Sequence, residues 1–310
     1  MGTRSSGVTA PGSRQGARRG KDALTAYMFI TPAMLHTLLF MLLPAAAALY
    51  FSFTEWDMIS PARWVGLVNY QEVLFNGDLY PDFWKSVRVT LVYGLLAVPA
   101  SLLTGFVQAY LIDGIRRGQP FFRLAFYLPV ITAEAAVGAI WKWLYDPQFG
   151  LINAALGFFG IDGPDWLGTP GTVVPALALI AAWQSGSAML IFLAGLKGIP
   201  RSYYEAAEVD GANAGQRLWS ITLPLLRPTT FFLTVTGIIA ALQVFGIVYV
   251  LFSSNIGPEG AGLTYVLHLY LAGFRNGGMG AASAMSFLLF AFILLITAVQ
   301  FRVLPRQYEE

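Results

Sequence analysis

Residues 199–224 read Ile199-Pro-Arg-Ser-Tyr-Tyr-Glu-Ala-Ala-Glu-Val-Asp-Gly-Ala-Asn-Ala-Gly-Gln-Arg-Leu-Trp-Ser-Ile-Thr-Leu-Pro224. The segment is too polar to cross a bilayer, yet its spacing is too regular for a flexible linker. Apolar stretches at 172–196 and 222–252 flank it, and each is long enough to span a membrane. The sequence therefore predicts a folded loop between two membrane helices.

The loop carries the signals of two short helices. Ser202 with Glu205 three residues later predicts a capping box at the start of the first helix, and Gly211 can end that helix in a left-handed conformation. Asn213 with Gln216 predicts the start of the second helix in the same way. We expect a helix-turn-helix that lies against the membrane.

The composition places the whole chain in lipid. Of the 310 residues, 56% are hydrophobic and only 12% are charged, whereas soluble domains carry about 25% charged residues. The net charge of +2 and the absence of cysteine give no indication of nucleic-acid binding, thiolate metal sites or disulfides. The chain lacks a P-loop sequence, so we expect no ATP hydrolysis by the chain itself, and neither a cofactor nor a metal.

Six stretches are long and apolar enough to cross the bilayer, which predicts an all-α polytopic bundle. They are 23–53, 86–112, 121–143, 172–196, 222–252 and 281–303. We expect residues 1–22 to form a disordered basic tail, 23–303 the membrane domain, and 304–310 a second short tail.

The distribution of cations predicts the orientation. Fourteen of the nineteen Lys and Arg residues fall on the side that holds both termini and the 199–224 loop. The positive-inside rule then places both termini and this loop in the cytoplasm. The opposite face carries many acidic and aromatic residues, which suit either docking of an external partner or interfacial anchoring.

The loop resembles the EAA motif of bacterial ABC importer permeases, which reads Glu-Ala-Ala, three residues, Gly, nine residues, then Ile-x-Leu-Pro. All seven fixed positions match, namely Glu205, Ala206, Ala207, Gly211, Ile221, Leu223 and Pro224. The two alanines leave the first helix thin, while Glu205 and Asp210 offer acceptors at its edges. From the residues alone, a well-capped connecting loop explains the pattern equally well.

The resemblance implies that the loop is a coupling helix that docks into a cleft of a separate ATPase subunit. Segments 141–153, 165–168 and 193–204 are similar to the carbohydrate group of these permeases, of the maltose and glycerol-phosphate type. In that group, two membrane subunits, usually different, assemble with two ATPases and an external sugar-binding protein. The resemblance thus implies uptake of a sugar or polyol.

Glu134 is a candidate for the substrate pathway. An ionisable residue within a membrane span is costly and marks a functional site by default, and the resemblance places this position where the maltose permease contacts its sugar. The alternative is a carboxylate that pairs with a polar neighbour for packing, for which Lys142 is suitably close in sequence.

Spans four and five supply the other pathway candidates, which combine an aromatic ring with neutral hydrogen-bonding groups, as uncharged polyols require. They are Trp183, Gln184, Ser185, Ser187, Gln243 and Val244. Packing of small residues between helices is the competing explanation for the two serines.

A secondary transporter is the alternative function, with Glu134 as a proton or ion relay. It would leave the regular 199–224 loop unexplained. The chain also lacks the two-half repeat of many secondary transporters.

Overall fold

The structure is a computed structural model that describes residue 2 and residues 27–252 and 256–303. The predicted tails, 1–22 and 304–310, lie outside the described residues apart from Gly2. The described chain is almost entirely helical, and its one sheet is a hairpin of two short strands. The all-α prediction is confirmed.

Fourteen helices follow one another along the described chain. They are α1 (Tyr27–Ser52), α2 (Val68–Phe75), α3 (Phe83–Asp113), α4 (Gln119–Ile131), α5 (Glu134–Leu144), α6 (Leu151–Phe158), α7 (Pro170–Trp183), α8 (Gly186–Gly198), α9 (Arg201–Val209), α10 (Ala214–Arg217), α11 (Arg227–Leu242), α12 (Gly246–Phe252), α13 (Tyr265–Tyr270) and α14 (Met279–Val303). Short irregular helical turns extend α10 over Leu218–Leu225 and α13 over Leu271–Arg275. The strands are β1 (Thr54–Glu55) and β2 (Arg63–Trp64), which pair antiparallel.

The membrane spans follow the predicted order. Among the described residues, four helical segments are long and apolar enough to cross a bilayer unaided, and two bent pairs bring the number to six if each pair is one span. The bent pairs are α4 with α5, at 96°, and α7 with α8, at 46°.

The third apolar stretch, predicted as a span over 121–143, consists of two helices with a sharp bend between them rather than one straight helix. Thr132 and Ala133 are extended, with ψ of 135° at both residues, so the helix stops and restarts in a new direction. The Thr132 hydroxyl donates to the carbonyl of Leu128 at 2.8 Å. Hydropathy did not reveal the turn because both halves are equally apolar.

Helix α3 is the central element, and α7, α8 and α11 pack against it. It lies close to α8 at Gly105, where a Cβ would stand 2.8 Å from the Cβ of Ala188 and 3.1 Å from the backbone nitrogen of Met189. The absence of a side chain therefore lets the two backbones approach, as small residues commonly do between membrane helices.

Tertiary hydrogen bonds organise the ends of the helices opposite the 199–224 loop. Trp166 donates to the side-chain oxygen of Asn153 at 2.7 Å, which joins two segments that carried the family resemblance. The buried Asn69 donates to the carbonyls of Ser52 and Thr54, both at 2.9 Å, and so fixes α2 against β1.

We expect Gly105→Ala to lower the thermal melting temperature of the detergent-purified protein. The added methyl overpacks the α3–α8 contact, which typically costs about 1–3 kcal/mol. Gly171→Ala is the matched control, because a Cβ there meets nothing within 4 Å. Equal melting temperatures for the two variants would contradict the close α3–α8 contact.

Candidate functional site

The first helix of the 199–224 loop, α9, begins one residue earlier than its predicted cap. Pro200 precedes the helix in an extended conformation and Arg201 is its first residue, so Ser202 lies inside the first turn. No side-chain cap bonds to this helix start. The predicted Ser202–Glu205 capping box is therefore wrong, because Pro200 occupies the N-cap position and Ser202 lies inside the helix.

The end of α9 is as predicted. Gly211 has a φ of 78°, and the N–H of Ala212 donates to the carbonyl of Ala207 at 2.8 Å while the N–H of Gly211 donates to that of Glu208 at 3.1 Å. This pair of bonds is a Schellman motif, which satisfies the last carbonyls of the helix. The glycine thus turns the chain sharply after α9.

Hydrogen bonds and an ion pair connect the second half of the loop to the first half. Asn213 and Gln216 form the predicted capping box, with bonds of 2.9 and 2.8 Å. Arg217 forms an ion pair with Glu208 across the turn. The Tyr204 hydroxyl lies 3.0 Å from that of the buried Thr222, so the helix-turn-helix is one connected unit.

This unit also contacts the membrane helices at its base. A Cβ on Gly195 of α8 would lie 2.8 Å from the side chain of Leu226 and 2.9 Å from the Thr229 hydroxyl, so α8 packs closely on the start of α11. Leu226 is 1% exposed. Ile221, Leu223 and Pro224 are half-buried at this base.

The outward surface of α9 and α10 exposes apolar side chains to solvent. Val209 is 88% exposed, Trp219 72% and Tyr203 53%. Glu205, Ala206 and Asp210 are exposed as well, and Ala207 is half-buried. A rigid polar loop that presents apolar groups in this way has the character of a protein-binding surface.

The predicted pathway residues all lie at interruptions of the helices. Glu134 is the first residue of α5, Trp183 is the last of α7, Gln184 and Ser185 join α7 to α8, and Ser187 is the second residue of α8. Gln243 and Val244 fall between α11 and α12. Irregular backbone at membrane depth is tolerated only where protein or a cavity surrounds it.

Glu134 connects two of these interruptions. Its carboxylate occupies the space in which Gly246 would carry a side chain, since a Cβ there would lie 1.5 Å from Oε2. One turn further along both helices the arrangement is the opposite, because the glycine, Gly138, is on α5 and the larger residue, Val250 of α12, fills the space beside it. Helices α5 and α12 are therefore fitted together at two levels. Lys142 lies in the last turn of α5, two turns from Glu134.

A separate cavity of about 340 Å³ brings Gln184, Ser185 and Ser187 together with residues of α3 and α11. Ser185 is 1% exposed, and its hydroxyl donates to the side-chain oxygen of Gln108 on α3 at 3.3 Å. The cavity does not include Glu134, Trp183, Gln243 or Val244. Trp183 instead packs edge-on against Trp141, with ring centroids 5.7 Å apart.

Sequence reasoning missed three residues that build this site. Gln108 supports Ser185, Gly246 makes room for Glu134, and the buried Thr264 donates to the carbonyl of Val244 at 3.1 Å. Gln108 could have been found as an amide in an otherwise apolar span. Gly246 and Thr264 carry no such signal, because their roles depend on how the helices pack.

A polar cavity of about 570 Å³ lies at the opposite end of the bundle from the 199–224 loop. Its lining includes Glu55, Asp57, Arg63 and Glu72, and Arg63 pairs with Glu55 at 2.5 Å. Backbone N–H groups of Ser60 and Ile59 donate to Asp57 and lower the pKa of its carboxyl. No group of three or more acidic or His side chains in the described part of the chain is arranged to hold a metal.

These features define a helical membrane protein of the transporter class. Interrupted spans gather polar groups inside the bundle, and a rigid loop outside it presents a binding surface.

Comparison with known proteins identifies the family. A family model described as "Binding-protein-dependent transport system inner membrane component" matches residues 97–308. The probable ABC transporter permease protein YesP of Bacillus subtilis is 40% identical over 284 residues, which are 91% of each chain. The sn-glycerol-3-phosphate transport system permease protein UgpA of Agrobacterium fabrum is 32% identical, over 92% of this chain and 96% of the relative.

The fold agrees with solved structures. A bacterial ABC transporter involved in the import of the acidic polysaccharide alginate superposes with a TM-score of 0.77, at 20% identity, over 94% of this chain and 100% of that chain. The chain belongs to the family of binding-protein-dependent transport system inner membrane components. It is an ABC importer permease, which supports the importer function rather than a secondary transporter.

The fit of Glu134 over Gly246 gives a double-mutant test. Gly246→Ala should displace the carboxylate and lower the melting temperature, because the new methyl occupies its position. In the Glu134→Ala background the same change should cost less, since the space is then free. Gly237→Ala is the matched control, because its Cβ would meet Val98 at an ordinary 3.4 Å. Additive effects of the two changes would contradict the contact.

Proposed function

We propose that this permease takes up a neutral sugar or polyol delivered by an external binding protein, and that separate ATPase subunits drive it through the 199–224 loop. The observation that carries the proposal is the construction of this loop. Hydrogen bonds and an ion pair connect its two halves, its base is buried against the membrane helices, and its exposed side presents apolar side chains among polar ones.

The loop has the mechanical properties that coupling requires. The Schellman motif, the capping box and the Tyr204–Thr222 bond hold α9 in one orientation. A push on α9 would reach α11 through Thr222 and Leu226, and α8 through Gly195. In this proposal Glu205, Ala206, Ala207, Asp210 and Gly211 contact the ATPase, while Ile221, Leu223 and Pro224 hold the base.

The assembly that we propose follows the family pattern. A second homologous permease, two ATPases and the binding protein complete the transporter, with the termini and the loop on the cytoplasmic side. The polar cavity near Glu55 and Asp57 lies at the opposite end, and we propose this end as the face for the binding protein. One alginate transporter of similar fold was solved in complex with its periplasmic protein.

The chemistry of the site favours a neutral substrate. None of the residues that line the 340 Å³ cavity, all in the described part of the chain, is a Lys or Arg. The similar permeases UgpA and SmoG are named for sn-glycerol-3-phosphate and for sulfoquinovosyl glycerol, which are anionic. Here the cavity offers no cation to pair with such an anion, whereas the amide and hydroxyls of Gln184, Ser185 and Ser187 suit sugar hydroxyls.

Replacement of Gly211 tests the coupling function. Gly211→Ala forces a side chain into a left-handed conformation, which costs about 1 kcal/mol and tilts α9. In proteoliposomes we expect normal membrane insertion but a loss of substrate uptake per ATP hydrolysed. Gly215→Ala, on the adjacent short helix, is the control and should couple normally. Normal coupling in Gly211→Ala and in Glu205→Ala would overturn the assignment.

A pair of threonines on α11 tests the cavity. The hydroxyls of Thr234 and Thr236 both donate to carbonyls one turn earlier, but only Thr236 lines the 340 Å³ cavity. Thr236→Val removes one hydrogen-bonding group from the pathway, which is worth about 1 kcal/mol and predicts a roughly fivefold loss of uptake at limiting substrate. Thr234→Val should leave uptake at limiting substrate unchanged. Equal uptake by both variants would argue against the cavity as the pathway.

A further inference from the structure

A polar cluster joins three helix ends beside the start of the 199–224 loop. Its centre is Gln119, the first residue of α4. The Gln119 side-chain nitrogen donates to the carbonyl of Ile112 at 3.0 Å, in the last turn of α3, and to that of Ile115 at 2.9 Å, in the turn that follows. These bonds join the start of α4 to the end of α3, and they hold the Gln119 oxygen in a fixed position.

That single oxygen accepts from two cations. Arg123 Nη2 lies 2.9 Å from it and Lys197 Nζ lies 3.2 Å from it. The two positive groups are therefore at most about 6 Å apart. An amide oxygen carries only a partial negative charge, so their mutual repulsion is not neutralised. We call Gln119, Arg123 and Lys197 the Gln119 cluster.

The cations of the Gln119 cluster form no ion pair within the described chain. The Nε of Arg123 is shielded from solvent and makes no hydrogen bond to described residues. Arg116 and Arg117, in the turn between α3 and α4, add further positive charge. The chemistry of the cluster thus calls for an anion with several acceptor oxygens.

The location indicates the source of that anion. On the same ends of α3 and α4, Leu111, Phe121 and Leu124 are 63%, 69% and 60% exposed. Exposed apolar side chains on membrane helices face acyl chains, so the cations lie at the boundary between hydrocarbon and water. Phospholipid phosphates occupy this depth.

We propose that the Gln119 cluster binds the phosphate of an anionic phospholipid headgroup. The phosphate would accept from Arg123 and Lys197 together and neutralise their repulsion. Because Arg123 belongs to α4 and Lys197 to α8, the bound lipid would brace these helices against the end of α3. It would therefore stiffen the support from which the 199–224 loop begins. The site itself does not depend on what the loop binds.

Native mass spectrometry of the complete transporter tests the proposal. The delipidated complex is titrated with phosphatidylglycerol or with phosphatidylcholine. We expect a tight phosphatidylglycerol adduct that phosphatidylcholine does not replace. In Arg123→Gln/Lys197→Gln, its affinity should fall by roughly tenfold or more. Arg227→Gln/Arg302→Gln removes two other cations and should leave the adduct unchanged.

Three results would overturn the proposal. The first is equal phosphatidylglycerol affinity in the cluster variant and the wild type. The second is displacement of phosphatidylglycerol by inorganic phosphate, which would identify a free-anion site. The third is loss of the ATPase subunits from the cluster variant with lipid binding intact, which would assign the cations to a protein partner. If the double variant does not fold, Lys197→Gln alone serves, because Lys197 is exposed.

Discussion

The fold depends on one constraint, which is that hydrocarbon offers no hydrogen bond to a peptide group. Spans must therefore be helical, and a helix can be interrupted only where other protein groups form hydrogen bonds with the peptide groups that the break leaves free. Thr132 and Thr264 do this for the carbonyls of Leu128 and Val244. The same enclosure that stabilises an interruption also gathers polar side chains inside the bundle. This explains why every predicted pathway residue lies at an end or a junction of helices.

The 199–224 loop, outside the membrane, is made rigid by contacts of its own. In the coupling that we propose, the loop would transmit motion from another subunit, which requires that it keep its shape under load. The left-handed Gly211, the Asn213 cap and the Arg217–Glu208 pair remove freedom from the loop. The Tyr204–Thr222 bond and the contact of Gly195 with Leu226 then attach it to two spans. The binding surface and the membrane helices thus form a continuous path, along which the Gln119 cluster is a lateral support.

Most features that depend on local chemistry could be predicted from the sequence, whereas those that depend on the packing of distant helices could not. Hydropathy identified the six apolar stretches, and spacing identified the turn at Gly211 and the cap at Asn213. The Ser202 cap was wrong because Pro200 starts the helix earlier, and the break at Thr132 was missed because apolarity continues through it. The seven pathway candidates were chosen as a single group. The structure separates Gln184, Ser185 and Ser187 in one cavity from Glu134, which lies on Gly246. This separation depends on how helices far apart in the sequence pack together, which the sequence alone does not reveal.

An ATPase subunit that covers α9 would shield this helix from reagents in water, and the absence of cysteine from this chain allows a direct measurement. Ala206→Cys, in the transporter held in nanodiscs, would be labelled with a water-soluble maleimide before and after the ATPase subunits are removed. The account predicts slow labelling in the complete assembly and fast labelling after removal. Phe159→Cys, at a site 76% exposed at the opposite end, should label at one rate throughout. Equal labelling of Ala206→Cys with and without the ATPases would contradict the account.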